Sequence, residues 1–235
     1  MRESIGDESI DLTVTSPPYD DLRVYDGYTF DYIGVIDQLF RVTKKGGVVV
    51  WVIGDRTTKG GESLTSFRHA LFAQSVGFSH ETMIYHRPAM PQNARRYEQH
   101  FEYMFVWVKG TRPKTWNPIM EPSKYAGVRT SGSNSNRSGR RPARSRIIKP
   151  MKVKSNIWSY SARCSGKNHP APFPDDLARD HIASWSNAGG TVFDPMMGSG
   201  TTGVQALKLG RNFIGIDISQ RYVADARAAM VELTQ

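Results

Sequence analysis

Residues 191–202 read Thr191-Val-Phe-Asp-Pro-Met-Met-Gly-Ser-Gly-Thr-Thr202, a short β-rich run that passes through a glycine loop into a helical pattern. Glycines let the backbone approach a ligand closely at such a turn, where the amino end of the following helix presents N–H groups. A second acid, Asp217, ends the next predicted strand, 23 residues beyond Asp194. In doubly wound folds an acid at this place accepts hydrogen bonds from the ribose of a nucleoside cofactor.

The glycine loop taken alone fits a tight structural turn as well as a ligand site. The strand, the loop, the helix and the second acid together favour the ligand site. No lysine follows the glycines, so the Walker pattern for triphosphates is absent. We therefore expect the ligand to be a nucleoside without a phosphate tail.

Strand and helix patterns alternate on both sides of this loop. Apolar spacing and glycine stops predict strands at 10–15, 48–53, 80–86, 102–109, 191–194 and 213–217. Helices are predicted at 31–44, 64–75, 177–185, 204–209 and 221–233, with Gly46-Gly47 separating the first helix from the second strand. The alternation predicts an α/β fold, a mostly parallel sheet covered by helices.

The positive charge of the chain is concentrated in one segment. The 235 residues include 31 Lys+Arg and 22 Asp+Glu, a net charge of +9. Residues 111–168 contain 14 of these bases and one acid, so they carry +13 and the remainder carries −4. The centre of the segment, 131–146, has almost nothing apolar to bury and is predicted to be mobile without a ligand. The aromatic residues of the 111–168 segment that lie around this centre, Trp116, Tyr125, Trp158 and Tyr160, could stack on bases. A solvated linker is the alternative to a nucleic-acid contact.

The first predicted strand runs into Ser16-Pro17-Pro18-Tyr19, a rigid turn. The exocyclic amine of a base is a poor nucleophile because its lone pair is delocalised into the ring. A side-chain oxygen and a backbone carbonyl that accept hydrogen bonds from the amine would favour a pyramidal nitrogen, and Tyr19 would stack on the base. No strong general base is needed, because the nitrogen loses its proton only after it has become cationic. A simple proline-rich strand exit is the alternative.

Three ordered motifs resemble those of the β-class DNA amino-methyltransferases. They are Thr15-Ser-Pro-Pro-Tyr19, His169-Pro-Ala-Pro-Phe-Pro174 and the 193–202 loop. The resemblance covers nearly the whole chain and implies a Rossmann-like, circularly permuted class I methyltransferase fold with a basic target-recognition insert. It implies a catalytic half at 1–110, the insert at 111–168 and a cofactor-binding half at 169–235.

The resemblance also implies the cofactor and the roles of individual residues. The cofactor is S-adenosyl-L-methionine. The catalytic residues are Ser16, Pro17, Pro18 and Tyr19. The expected cofactor-binding residues are Phe173, Asp194, Pro195, Met196, Gly198, Ser199, Gly200, Thr201, Thr202 and Asp217. The expected DNA-binding residues are His86, Arg87, Arg137, Arg140, Arg141, Arg144 and Arg146.

Ser-Pro-Pro-Tyr paired with His-Pro-x-x-Phe-Pro occurs mostly in cytosine-N4 enzymes of this family. We therefore favour cytosine N4 over adenine N6, with the base flipped out of double-stranded DNA. A DNA-binding relative without activity, and an enzyme acting on a glutamine amide or an RNA base, are the remaining alternatives. The resemblance implies restriction-modification as the setting, with a second copy of the chain and a cognate restriction endonuclease as candidate partners.

Relatives usually begin with another strand and an acid that contacts the cofactor's adenine. Here only residues 1–9 precede the first predicted strand. Asp7 or Glu8 could substitute, the adenine could be held by fewer contacts, or the start could be trimmed.

Other chemistries have weak support in the sequence. The six histidines lack metal-ligand spacing, and one cysteine, Cys164, supplies neither a disulfide nor a zinc cluster. The longest apolar run, 48–53, is far shorter than a membrane span, so we expect a cytoplasmic, nucleoid-associated protein. Trp51, Trp107 and Trp185 are expected in the core.

Overall fold

A computed structural model describes residues 4–18, 30–90, 96–130, 135–136, 139–140, 145–160, 174–231 and 233. The chain divides into two compact units. The larger is formed by 1–117 and 156–235, and the smaller by 118–155. Within the described ranges, no helix is long and apolar enough to cross a membrane.

The larger unit contains a seven-stranded sheet flanked by helices. Its strands are β1 (Ile10–Thr15), β2 (Thr43–Ile53), β5 (Phe78–Met90), β6 (Gln99–Lys109), β13 (Ile157–Ser159), β14 (Thr191–Asp194) and β15 (Asn212–Gly215); a separate hairpin joins β3 (Thr57–Thr58) to β4 (Gly61–Glu62). The helices are α1 (Tyr32–Val42), α2 (Thr65–Val76), α3 (Asp175–Trp185), α4 (Thr201–Lys208) and α5 (Gln220–Val231).

The sheet order is β13-β5-β6-β2-β1-β14-β15. Strand β6 runs antiparallel to both of its neighbours, and all the other pairs are parallel. The prediction of a mostly parallel sheet is therefore confirmed. The direction of β6 follows from the short connection between β5 and β6, which suits an antiparallel pair better than a crossover.

One predicted boundary is wrong. The Gly46-Gly47 pair does not separate α1 from the next strand, because α1 ends at Val42 and β2 begins at Thr43. The Thr43 hydroxyl donates to the Leu39 carbonyl at 2.6 Å and closes the last turn of the helix. The glycines lie inside β2, where the register with β1 shifts, and Gly46 has a φ of +75°. They therefore form a bulge rather than a stop. Gly77, by contrast, ends α2 as predicted.

The three tryptophans predicted in the core are buried: Trp51 and Trp107 belong to the apolar cluster formed with β1, β2 and β6, and Trp185 lies on α3. Trp51 and Trp107 are fully buried and stack with their centroids 5.3 Å apart, and Trp185 is also buried. Each indole N–H donates to a histidine ring nitrogen. The pairs are Trp51 with His69 at 3.3 Å, Trp107 with His80 at 3.1 Å and Trp185 with His181 at 3.2 Å. These bonds satisfy indole groups that would otherwise be costly to bury.

The connections of the sheet diverge between two adjacent strands, β1 and β14. Strand β1 continues through α1 to β2 on one side, whereas β14 continues through α4 to β15 on the other. The carboxyl ends of these four parallel strands share one edge of the sheet. Ligands of open α/β sheets bind outside this edge at such a switch point.

The smaller unit consists of three short antiparallel pairs. They join β7 (Met120–Pro122) to β12 (Met151–Val153), β8 (Arg129–Thr130) to β11 (Arg146–Ile147), and β9 (Ser135–Asn136) to β10 (Gly139–Arg140). Strand β13 lies within the predicted insert but pairs with β5 in the larger unit. The division at 110 and 168 and the permuted order stay predictions.

Candidate active site

Asp194 is the last residue of β14, and its buried carboxylate connects three parts of the chain. One oxygen, Oδ1, accepts from the Thr15 hydroxyl at 2.7 Å and from the Met196 amide at 3.1 Å. The other, Oδ2, accepts from the Thr202 hydroxyl at 2.9 Å, and that hydroxyl also lies 3.1 Å from the Val14 carbonyl. The end of β1, the loop after β14 and the first turn of α4 therefore meet at one carboxyl group.

Burial is the largest influence on the Asp194 carboxyl and raises its pKa to about 7. The bonds from Thr15, Met196 and Thr202 lower the pKa in part, and the nearby charge of Asp217 raises it. The carboxyl is thus poised to change protonation near neutral pH. A positive charge placed beside it would favour the ionised form.

The loop after β14 is closed against the end of β15. The Ile216 amide donates to the Asp194 carbonyl at 3.0 Å, and the Met197 amide donates to the Ile216 carbonyl at 3.0 Å. Gly200, which precedes α4, has a φ of +85°, and a Cβ there would lie 2.9 Å from the Cβ of Ala226 on α5. Only glycine fits this close approach without displacing α5.

Asp217 lies just beyond β15 and faces the same loop. Its two oxygens accept from the Gly198 amide and the Ser219 amide, each at 2.9 Å. The side chain is half-buried. Because a carboxylate has about four lone-pair sites, these two bonds leave capacity for further donors such as a ribose diol.

The predicted amine-binding turn leaves β1 beside Asp194. Ser16 and Pro18 are half-buried and Pro17 is buried. Ser16 directly follows Thr15, whose hydroxyl bonds the Asp194 carboxylate. The structure thus brings the described part of the turn next to the predicted cofactor loop. Tyr19 lies outside the described residues.

The remaining predicted cofactor residues fall into three groups. Pro195, Gly198 and Thr201 are buried in the loop and the start of α4, and Met196 and Ser199 are half-buried. Thr202 is fully buried, and its one hydroxyl hydrogen is shared between Asp194 Oδ2 at 2.9 Å and the Val14 carbonyl at 3.1 Å. Thr202 therefore stabilises the loop from its buried side. Phe173 lies outside the described residues.

The predicted DNA-binding residues are only partly described. His86 is exposed at the carboxyl edge, 3.4 Å from the Ser159 hydroxyl, and its ring stacks on His100. Arg87 is ion-paired with Glu102, so its charge is partly neutralised. Arg146 is exposed on β11. The other predicted arginines, at 137, 140, 141 and 144, lie outside the residues whose side chains are described.

Two rings predicted to stack on bases are instead packed in the larger unit. Trp158 is 5% exposed and its ring lies 4.7 Å from that of His181. The Tyr160 hydroxyl donates to Asp180 at 3.0 Å, and burial raises the pKa of Tyr160. The base-stacking interpretation is therefore wrong for Trp158, which is buried, and stays a prediction for Tyr160, which is half-buried. The basic composition of this segment does not indicate that these two residues contact α3.

Asp7 and Glu8 precede the amino end of β1, whereas Asp194 lies at the carboxyl edge. Asp7 is ion-paired with Arg41, and Glu8 with Lys109 at 3.2 Å. Six residues of extended strand separate the two edges, roughly 20 Å. This position argues against a role for either acid in binding a cofactor at the loop.

Two polar residues of this edge were missed. Thr15 begins the Thr15–Tyr19 motif, but the resemblance gives it no role, and only its contact with Asp194 reveals its place. Asp55 follows β2 and accepts from the Ser66 amide at 3.0 Å and from the Ser63 hydroxyl at 3.2 Å. Asp55 thus anchors the start of α2. An acid two residues after a buried strand was the available signal.

A family model for N6 and N4 methyltransferases, described as DNA methylase, matches residues 10–228. The orphan methyltransferase M.BamHII of Bacillus amyloliquefaciens is 47% identical over 236 residues, which cover 94% of this chain and 89% of that protein.

Two solved structures share the fold. The PvuII DNA methyltransferase, described as cytosine-N4-specific, superposes with a TM-score of 0.68 at 20% identity, covering 99% of this chain and 86% of that one. A protein of Thermus thermophilus, described as a DNA modification methylase and complexed with S-adenosyl-L-methionine, gives 0.65 at 22% identity, covering 98% and 90%. The Rossmann-like α/β fold expected from the sequence is therefore confirmed.

Proposed function

Because this chain belongs to the N6/N4 DNA methylase family, we propose that it methylates an exocyclic amine of a DNA base, with S-adenosyl-L-methionine as the methyl donor. The observation that carries the proposal is the bond of 2.7 Å between Thr15 and Asp194. It sets the turn that begins at Ser16 against the loop that begins at Asp194. The turn that would accept hydrogen bonds from the target amine and the loop that would bind the methyl donor are thereby adjacent, as in-line methyl transfer requires.

We assign the methyl donor, S-adenosyl-L-methionine, to the crevice at the carboxyl ends of β1 and β14. Asp217 would accept hydrogen bonds from its ribose hydroxyls, since the carboxylate is half-buried and holds two amides on its two oxygens. Asp194 and the loop through Thr202 would hold its methionine part. When bound, the cofactor supplies a methyl group on a positively charged sulfur.

Ser16 would orient the target amine. Its hydroxyl oxygen and a backbone carbonyl of the proline turn accept the two amine hydrogens, which favours a pyramidal nitrogen with its lone pair aimed at the methyl group. The prolines fix the backbone of the turn, and we assign Tyr19 to stacking on the base. The nitrogen–methyl bond would form as the methyl–sulfur bond breaks, which leaves the sulfur neutral. The cationic nitrogen would then release its proton to water, so a weakly basic site suffices.

Cytosine N4 is our proposed target atom. The support is the pairing of Ser16-Pro-Pro-Tyr19 with His169-Pro-Ala-Pro-Phe-Pro174, which resembles the N4 members of the β class. The family as a whole includes both N6 and N4 enzymes. Adenine N6 is therefore the second candidate.

We also propose that the substrate is double-stranded DNA, from which the base is flipped at a cost of a few kcal/mol. The basic segment at 111–168 would offset that cost through contacts to phosphates. A second copy of the chain and a cognate restriction endonuclease remain expectations from the resemblance, as does a nucleoid location.

Nucleoside mass spectrometry tests target and activity together. DNA incubated with the protein and S-adenosyl-L-methionine is digested to nucleosides, with RNA and a cofactor-free reaction as controls. We expect N4-methylcytosine in DNA. N6-methyladenine would correct the target base, and methylated nucleosides in RNA instead of DNA would overturn the substrate. No transfer with retained DNA binding would indicate a relative without activity.

A further inference from the structure

Two threonines on β1 have matched positions but different partners. Thr13 and Thr15 are separated by the two-residue repeat of a strand, so they share a face, and both are fully buried. The Thr15 hydroxyl donates to Asp194 at 2.7 Å. The Thr13 hydroxyl meets no hydrogen-bond partner in the described part of the chain. Burying such a group without a partner is unfavourable, so Thr13 serves as an internal reference for Thr15.

Side chains join β1 to β14 beyond the end of their backbone pairing. The register between the two strands extends to Thr13 and Phe193, whereas the pairing of β1 with β2 continues to Thr15. Past Thr13, the hydrogen bonds from β1 to the β14 side include the Thr15–Asp194 bond and the contact of the Thr202 hydroxyl with the Val14 carbonyl. These two hydroxyls hold together the strand ends that form the crevice.

We propose that Thr15 is a positioning residue for methyl transfer, whose hydroxyl fixes the amine-binding turn at Ser16 against the cofactor loop at Asp194. The inference rests on the proposed function and names a residue that touches neither the base nor the cofactor. Methyl transfer needs the nitrogen and the methyl group in line at near-contact distance. A displacement of about 1 Å costs roughly a hundredfold in rate.

The same bond also stabilises the ionised form of Asp194 and so lowers its pKa. Removing the donor leaves a buried carboxyl with fewer partners, and its pKa rises further above about 7. A cofactor affinity that requires the ionised carboxylate would then reach its plateau at higher pH. A substitution that changes only the packing of β1, such as Thr13→Val, would not move this midpoint.

The experiment compares Thr15→Val, Thr15→Ser and the reference Thr13→Val in the full-length protein. Valine keeps the shape and removes the hydroxyl, whereas serine keeps the hydroxyl. We measure single-turnover methylation of DNA at saturating cofactor, the cofactor dissociation constant by calorimetry across pH 6 to 9, and thermal unfolding.

Thr15→Val should slow single-turnover transfer by roughly tenfold to a hundredfold and shift the pH midpoint of cofactor binding upward. Its affinity for the cofactor should be near the wild-type value at the alkaline end. Thr15→Ser should restore both properties, and Thr13→Val should match the wild type in both.

Equal transfer rates for Thr15→Val and Thr13→Val would overturn the inference. So would a loss in Thr15→Val that serine does not rescue, or an unchanged pH midpoint. These outcomes concern Thr15 alone when the wild type is active. A wild type that transfers no methyl group would overturn the proposed function itself, and this inference with it.

Discussion

The amide of Gly198 donates to the Asp217 carboxylate at 2.9 Å. The two residues follow adjacent parallel strands, β14 and β15, and the bond closes the glycine loop onto the end of the neighbouring strand. Asp217 thus has a structural contact on the loop and is only half-buried. In the proposed function, this carboxylate would both shape the cofactor site and hold the ribose of the cofactor.

Replacing Asp217 by alanine should weaken cofactor binding by about tenfold to a hundredfold, the effect of losing one net hydrogen bond to a charged group, about 1.5–3 kcal/mol. Calorimetry with S-adenosyl-L-methionine measures the change. The exposed carboxylate of Asp176, ion-paired with Arg179 on α3, supplies the control Asp176→Ala. An unaltered affinity in Asp217→Ala would remove Asp217 from the cofactor site.

Asp194 should make the stability of the unliganded protein depend on pH. Its pKa is about 7 in the folded protein, against an ordinary value of 3.8. Between these values the folded state keeps a proton that the unfolded state has released. The contribution of Asp194 to the free energy of unfolding therefore falls as pH rises from about 4 to about 7.

The variant Asp194→Asn isolates this effect. Denaturant unfolding of wild type and variant at several pH values gives their difference in free energy of unfolding. His80, whose pKa is lowered by burial, acts in the opposite direction but is present in both proteins and cancels. A difference that is flat from pH 4 to 7 would contradict the raised pKa.

Asp194→Ala, which removes the carboxyl, should primarily weaken cofactor binding.

Gly200→Ala should destabilise the protein and impair cofactor binding. The positive φ costs roughly 1–2 kcal/mol for alanine, and the contact with Ala226 adds about 1–3 kcal/mol. Gly210 has a similar φ of +72° but open space around its Cα, so Gly210→Ala carries only the first cost. Thermal unfolding and calorimetry compare the two. Equal effects on cofactor affinity would show that the close approach to α5 is unimportant.

Ser16→Ala should lower the turnover of methyl transfer with little loss of cofactor affinity. Removing a group that orients the amine affects the transition state, and we expect roughly a hundredfold lower single-turnover rate. Filter binding of tritium-labelled DNA follows the reaction, and calorimetry follows the cofactor. Unchanged single-turnover methylation would exclude Ser16 as the amine acceptor.

The basic segment should carry the salt dependence of DNA binding. Replacing the five arginines at 137, 140, 141, 144 and 146 by glutamine should reduce the slope of log affinity against log salt by up to about 4.5. Deleting 131–146 should abolish DNA binding while sparing cofactor binding. Lys45, exposed near the amino end of β2, gives the control Lys45→Gln. An unchanged slope in the five-fold variant would place the DNA contact elsewhere.

Much of the fold could be predicted because it is written in local patterns. The strands 10–15 and 191–194 were predicted with the bounds that the structure gives, since β-rich runs end there at prolines. Helix α4 begins at Thr201, three residues before its predicted start. The glycine loop obscured that boundary, because Gly200 has a left-handed backbone conformation and directly precedes the first turn of the helix.

The sequence by itself determined the chemistry that each segment supports: a glycine loop between two acids, a serine and prolines after a strand, and a separate block of positive charge. These properties depend on residue types at short spacing. Tertiary structure alone decided that Thr15 meets Asp194 across 179 positions, that β6 is antiparallel, and that Trp158 and Tyr160 are packed beside α3. Such contacts follow from strand order and helix packing, which bring distant residues together and which local periodicity does not specify.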